Sequence, residues 1–217
     1  MAQNLAIVRD SLADRSVKLI AVTKHATTSQ ISEAYDLGVH DFGENRLQDA
    51  LKKREVLPPQ VASQSRWHFI GHLQTNKVKQ AVGNFSLIHS VDSIRLAEEI
   101  DRVAAQKGIV QSILLQVKIV RDDAKSGFTT EELLKVMPDI LKLSSIKVEG
   151  LMTITPFDAD KETSEAAFNG LRQLRDRINL DCGTSLTQLS MGMSDDWHQA
   201  ITCGSTMIRL GRAIFDS

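Results

Sequence analysis

Eight short apolar runs, with longer charged stretches of helical period between them, constrain this chain more than any other feature. The runs fall at residues 18–23, 39–42, 67–70, 87–91, 113–119, 148–154, 186–190 and 207–210. Between them, spacings of three and four recur. Ile94, Ala97, Ile100 and Ala104 line one face, Leu133, Leu134, Met137 and Leu141 a second, and Ala167, Leu171, Leu174 and Ile178 a third. Thr28, Ser93 and Thr129 or Thr130 stand where helix caps belong, and Gly38 and Gly108 stand where helices stop. Strict alternation of eight such pairs predicts a (β/α)8 barrel, an α/β fold, with an extra helix over residues 2–12 ahead of the first strand. The competing architecture is an open doubly wound sheet. That fold usually turns on Gly-x-Gly-x-x-Gly after its first strand, and here the turn reads Thr23-Lys24-His25-Ala26. No linker or repeat divides residues 1–217, so one barrel domain is expected. Residues 55–65, with Pro58-Pro59, read as a polar loop before the third strand.

Composition removes several function classes. A net charge of −1 gives no basic field for nucleic acid or an anionic membrane. No apolar run approaches the roughly 20 residues of a membrane span. Residues 1–16 carry Arg9, Asp10, Asp14 and Arg15 without an apolar block, unlike a secretory signal. Cys182 and Cys203 are the only cysteines and form neither a Cys-x-x-Cys pair nor a disulfide framework, which points to a cytoplasmic setting. Without a visible apolar patch the expectation is a monomer.

In a barrel the carboxyl ends of the strands gather at one mouth. Lys24 ends the first run, and an amine there can condense with an aldehyde; the bland alternative is a lysine at a solvent edge. The second run ends in Gly43-Glu44-Asn45-Arg46. The third contains His68 and continues Gly71-His72-Leu73-Gln74, and the fourth ends near His89. The last two turns are the most informative. Ser190-Met191-Gly192-Met193-Ser194 and Gly211-Arg212 offer small residues, hydroxyls and a cation where barrels often hold a phosphate, with a helix starting at Ser194-Asp195. His68 and His72 lack a third ligand for zinc, so no metal is expected. Tyr35, the only tyrosine, sits among Ile31, Ala34 and Leu37 and reads as packing.

The blocks Ala21-Val22-Thr23-Lys24, Phe42-Gly43-Glu44-Asn45, Trp67-His68-Phe69-Ile70-Gly71-His72-Leu73-Gln74-Thr75-Asn76-Lys77, Gly150-Leu151-Met152-Thr153-Ile154, Leu189-Ser190-Met191-Gly192-Met193-Ser194-Asp195-Asp196 and Ile208-Arg209-Leu210-Gly211 occur in order along nearly the whole chain. Together they resemble the pyridoxal phosphate homeostasis proteins. The resemblance implies a barrel like the amino-terminal domain of alanine racemase, the fold type III arrangement, with pyridoxal 5′-phosphate (PLP) held as a Schiff base on Lys24. It implies that Arg209 faces the pyridine nitrogen, that Ser190, Ser194, Gly211 and Arg212 bind or border the phosphate, and that Asn45 lies beside the cofactor. His68 and the turn at 71–74 line the mouth. Two departures stand out: Lys118 replaces the family's usual asparagine, and the chain ends Ile214-Phe215-Asp216-Ser217 where relatives continue.

The implied function is PLP homeostasis: buffering or delivering the cofactor, and influencing amino- and keto-acid balance, without a dedicated reaction. PLP-dependent apo-enzymes or a regulatory protein are the implied partners. The alternative is a racemase of the alanine-racemase type. Its two-base form draws a tyrosine from a second domain, and neither that domain nor a suitable tyrosine is expected here. A one-base reaction through Lys24 stays open. A Schiff-base aldolase is a third reading, which the second- and third-strand motifs do not favour.

Overall fold

The computed structural model describes residues 1–12, 15–120, 126–156 and 158–216. Among these, eight parallel strands close one barrel in chain order. They are β1 (Lys18–Val22), β2 (Asp41–Glu44), β3 (Arg66–Phe69), β4 (Leu87–Val91), β5 (Gln111–Gln116), β6 (Ile146–Met152), β7 (Gln188–Ser190) and β8 (Met207–Leu210). Helix α1 (Ala2–Leu12) precedes them. Outside lie α2 (Thr28–Asp36), α3 (Leu47–Val56), α4 (Pro59–Gln64), α5 (Val78–Ala81), α6 (Ile94–Gln106), α7 (Thr130–Ile140), α8 (Lys161–Cys182), α9 (Trp197–Thr202) and α10 (Arg212–Phe215). The predicted barrel, its leading helix and its eight strands are therefore present.

Strand period two divides the apolar residues between two cores. Ile20, Leu87, Leu114, Met152 and Met207 form a separate cluster inside the barrel. Their strand neighbours Ala21, Ile88, Ile113, Leu115, Leu151 and Ile208 join the larger core shared with the helices. On α6, the stripe Ala97, Ile100 and Ala104 is fully buried, as its spacing requires.

Local chemistry sets the ends of the elements. Thr27, one residue before the expected cap, makes a capping box with Gln30, and Thr129 makes one with Glu132. Gly38 takes φ +83°, and Val39 N–H then returns to the Ala34 carbonyl at 2.9 Å. That bond holds Val39 in the helix terminus, so β2 begins at Asp41 rather than at 39. Residues 117–119 leave the ladder after Gln116, although Val117 still bridges Phe128. The expected loop at 55–65 contains α4. Pro59 occupies its first turn, where a missing N–H costs nothing, and Val61 supplies its buried contact. Asn4 on α1 donates to the carbonyls of Ile214 and Asp216, tying the leading helix to α10. Ser217 lies outside the described residues.

Candidate functional site

Lys24 lies just beyond β1, exposed, on the carboxyl rim. Among the described residues, no hydrogen bond or ion pair engages its amine. The residue before it is held firmly. Thr23 is fully buried; its N–H donates to the Gly43 carbonyl at 3.0 Å and its hydroxyl to Glu44 Oε1 at 2.6 Å. Lys53 reaches in from α3 to donate to the Thr23 carbonyl and, at 2.7 Å, to the same Glu44 oxygen. A buried carboxylate is thus compensated by a cation and a hydroxyl directly under the exposed amine.

Asn45 is exposed at the end of β2, the strand paired with β1 through Val22 and Gly43. The turn after β3 passes beneath it so closely that a Cβ at Gly71 would sit 2.0 Å from the Asn45 carbonyl oxygen. Only glycine permits this crossing, and it sets where Asn45 projects.

Across the rim, β8 pairs with β1 through Leu210 and Ala21, bringing the turn after β8 next to Lys24. Ser194 Oγ accepts from Ala213 N–H at 3.3 Å, and Arg212 pairs with Asp195, so the turns after β7 and β8 are stitched together. Gly192 makes the first turn possible: its φ is +97°, and a Cβ there would lie 2.6 Å from Ala200 Cβ. Asp196 closes the turn by accepting from Met193 N–H and from the Thr155 hydroxyl, each at 2.6 Å. Helix α9 therefore starts at Trp197, later than the expected Ser194-Asp195. Among the described residues, the backbone N–H groups of Ser194, Asp195, Gly211 and Arg212 have no intramolecular acceptor. Amide donors left together in this way suit an anion.

Arg209 is buried on β8, at 3% exposure. Its guanidinium donates to Ser190 Oγ at 2.7 Å and to the Thr153 carbonyl at 3.0 Å. Burial pushes its pKa down to about 10, and nearby Asp196 opposes that shift, so it remains a cation at neutral pH. Ser190 Oγ also lies 2.9 Å from His89 Nδ1 on β4. His89 Nε2 lies 2.9 Å from His68 Nδ1, and His68 Nε2 lies 3.0 Å from Asp41 Oδ1. Asp41 heads β2 at the opposite, amino-terminal end of the barrel. There it takes a two-point contact from Arg66, with Lys18 at 3.8 Å. Burial works against the Asp41 carboxylate, yet Arg66, His68 and Lys18 outweigh it and hold its pKa well below the usual range. Burial pushes both imidazoles below the ordinary histidine value, His89 further than His68.

The structure thus gathers Lys24, Asn45, Ser194, Gly211 and Arg212 at the carboxyl rim. Arg209, Ser190 and His68 lie in the barrel interior. Ser190 contacts Arg209 and His89 rather than the amide group of the neighbouring turn. His72 leaves the strand, is exposed and lies 3.2 Å from Asp92, far in role from buried His68. Among the described residues no cluster could hold a metal. Lys118 is half-buried, with its N–H on the Phe128 carbonyl. Tyr35 packs edge-on to His40 and donates to Gln64 Oε1 at 2.7 Å. Asp41 and Lys53 matter to the site but lie outside the motifs, while Glu44 and Thr153 lie within them without a role that the motifs reveal. The signal for Asp41 is a carboxylate at the start of a strand that is buried throughout.

A cavity of about 790 Å³ opens at the amino-terminal end beside Lys18 and Arg66. Those cations are occupied by Asp41, and Arg9 by the Leu37 carbonyl. Two smaller cavities flank the carboxyl rim: one of about 490 Å³ is lined by Thr155, Met193 and Asp196, and one of about 390 Å³ by Asn45, Arg46 and Gln74.

Comparison with known proteins agrees with the barrel fold. The family described as alanine racemase, N-terminal domain, matches residues 1–217. A pyridoxal phosphate homeostasis protein of Synechocystis sp. is 44% identical over 200 residues, covering 92% of this chain and 91% of its own. Its counterpart in Aquifex aeolicus is 40% identical over 210 residues, covering 97% and 91%. The structure of PipY from Synechococcus elongatus, solved with PLP bound, superposes with a TM-score of 0.92 at 38% identity, covering 99% of both chains. Alanine racemase of Clostridium difficile shares the fold, with a TM-score of 0.79 at 16% identity over 98% of this chain and 55% of that one. By fold, by motif order and by similarity along nearly its whole length, the chain belongs to the pyridoxal phosphate homeostasis protein family.

Proposed function

We propose that this chain binds pyridoxal 5′-phosphate at the carboxyl rim, links it covalently to Lys24, and serves cofactor supply rather than one committed reaction. The observation that carries this reading is the pairing of an unengaged amine after β1 with acceptor-free amides at Ser194, Asp195, Gly211 and Arg212 on the adjoining side of the rim. An aldehyde and a phosphate on one small molecule fit those two features. When bound, the cofactor supplies an electrophilic aldehyde and a ring that can accept electron density.

The chain's own residues then have distinct tasks. Lys24 anchors. Ser194 and the amides of both turns hold the phosphate, and the Arg212 side chain, paired with Asp195, borders it. Asn45 borders the ligand. Arg209 presents a donor-only group to the pyridine nitrogen, which keeps that nitrogen unprotonated and weakens the ring as an electron sink. That weakening supports a carrier over a broad catalyst, as do the names of the relatives. We further propose a single domain over residues 1–217, acting as a cytoplasmic monomer that exchanges PLP with apo-enzymes. The two cysteines without a disulfide suit a reducing compartment, and no described helix is long and apolar enough to cross a membrane.

Borohydride reduction after incubation with PLP, followed by peptide mapping, tests the assignment. One adduct on Lys24 is expected, and Lys24→Ala should lose it while retaining weak phosphate-dependent binding. An adduct that persists on another lysine overturns the site. Robust, Lys24-dependent racemisation of alanine overturns the carrier reading.

A further inference from the structure

Resting on the assignment of PLP to the carboxyl rim, we propose that Asp41, His68, His89 and Ser190 are positioning residues for Arg209. They form one hydrogen-bond chain with a single donor direction, in which Ser190 serves the guanidinium rather than the phosphate.

The ends of the chain fix its direction. A guanidinium can only donate and an ionised carboxylate can only accept. Arg209 donates to Ser190 Oγ at 2.7 Å, so the serine proton is free to go to His89 Nδ1, 2.9 Å away. With neutral imidazoles, His89 Nε2–H then donates to His68 Nδ1 at 2.9 Å, and His68 Nε2–H donates to Asp41 at 3.0 Å. Each intermediate group gives one proton and accepts one, and no other arrangement of neutral rings satisfies all four contacts. Both imidazoles are buried, His89 fully, which favours the neutral forms. Lys18 and Arg66 beyond Asp41 oppose an added proton at His68, and Arg209 and Lys18 oppose one at His89; Asp41 favours one at His68.

This arrangement decides what Ser190 can do. A phosphate oxygen accepts, so it would need the one proton Ser190 owns. Diverting that proton leaves His89 Nδ1 bare and buried, which is costly. The amides of Ser194, Asp195, Gly211 and Arg212 offer a phosphate the same donors without breaking anything. The chain also crosses the barrel, joining β2, β3, β4, β7 and β8. The Arg209 side chain is therefore placed by residues on distant strands.

The test begins without cofactor. Nitrogen NMR of the histidine side chains should show His68 and His89 as neutral Nε2–H tautomers, with no titration between about pH 5.5 and 7.5. A His89 carrying Nδ1–H beside a doubly protonated His68 means the opposite direction and overturns the chain. The second arm compares the affinities of Ser190→Ala for PLP and for pyridoxal, which lacks the phosphate. Both should weaken by roughly tenfold, the loss of one charge-assisted hydrogen bond, leaving their ratio within about twofold of the unaltered protein. A loss confined to PLP assigns Ser190 to the phosphate and overturns the proposal. The third arm uses His89→Phe, which keeps a ring in place. It should keep the same ligand ratio while moving the pH at which the bound chromophore's absorption changes, in the same sense as Ser190→Ala. An unmoved profile shows that His89 does not act through Arg209 and also overturns the proposal. An unaltered protein that takes up no PLP sinks the function proposed above, whereas the histidine tautomers judge the chain by themselves.

Discussion

The two ends of this barrel treat polar groups in opposite ways. At the amino-terminal end, Asp41 meets Arg66, Lys18 and His68, and the charges satisfy one another. At the carboxyl rim, among the described residues, the Lys24 amine and the backbone N–H groups of Ser194, Asp195, Gly211 and Arg212 have no internal partners. The first end is satisfied internally, whereas the second leaves donors open to a ligand. Barrels commonly divide stability and chemistry between their ends in this way. Here the hydrogen-bond chain through His68 and His89 physically connects the two.

The sharpest way to break the contrast is at the rim. Gly192→Ala forces a side chain into φ +97° and against Ala200 Cβ at 2.6 Å. The expected cost is about 3 kcal/mol in urea unfolding, from backbone strain and overpacking together. PLP uptake should fall as well, because the turn that aligns Ser194 shifts.

A smaller effect is expected at the other end. Asp41→Asn removes the central charge of the satisfied cluster and should cost about 2 kcal/mol. That is less than a fully buried pair would lose, because Arg66 and Lys18 remain partly in water. The pH dependence has a definite sign. The folded-state pKa of Asp41 is depressed, so its contribution is fully present above the unfolded carboxylate value. It is lost as pH falls below about 4, toward the folded value. Stability curves of the two proteins should converge in acid; parallel curves down to low pH would remove the charge argument.

The smallest effect belongs to the helical ring, away from both ends. Thr129→Ala deletes the capping-box hydroxyl of α7 and should cost about 1 kcal/mol with PLP uptake unchanged. A cofactor defect in that variant would show that the ring is not independent of the rim.

Legibility from sequence followed the range of the interactions. The strands, the buried stripe of α6 and the caps at Ser93 and Thr129 are local patterns, and they were readable. Lys24 was readable too, because its place depends on one strand end. Helix α4 was missed because its six residues bury only Val61, too little for a period to show. Val39 reads as a strand residue in sequence because an apolar residue that closes a helix terminus looks the same as one that opens a strand. The chain through Ser190 could not be read at all. His89 and Ser190 stand 101 residues apart, and the contact exists only once the barrel closes. Motif order places Ser190 at the head of the turn after β7, and only cross-barrel geometry shows its hydroxyl between Arg209 and His89.

The clamp under Thr23 bears on the speed of the anchor. Lys53 and Glu44 pin the carbonyl and hydroxyl of the residue preceding Lys24, and the Gly43 carbonyl holds its N–H. The main chain there is braced against the pull of whatever the amine holds. Under the anchoring proposed for Lys24, capture and release need only rotations about the lysine side chain's own bonds, movements of picoseconds to nanoseconds for an exposed residue. Exchange at such an anchor would be paced by bond chemistry and by the proposed phosphate contacts, with no opening of the barrel required.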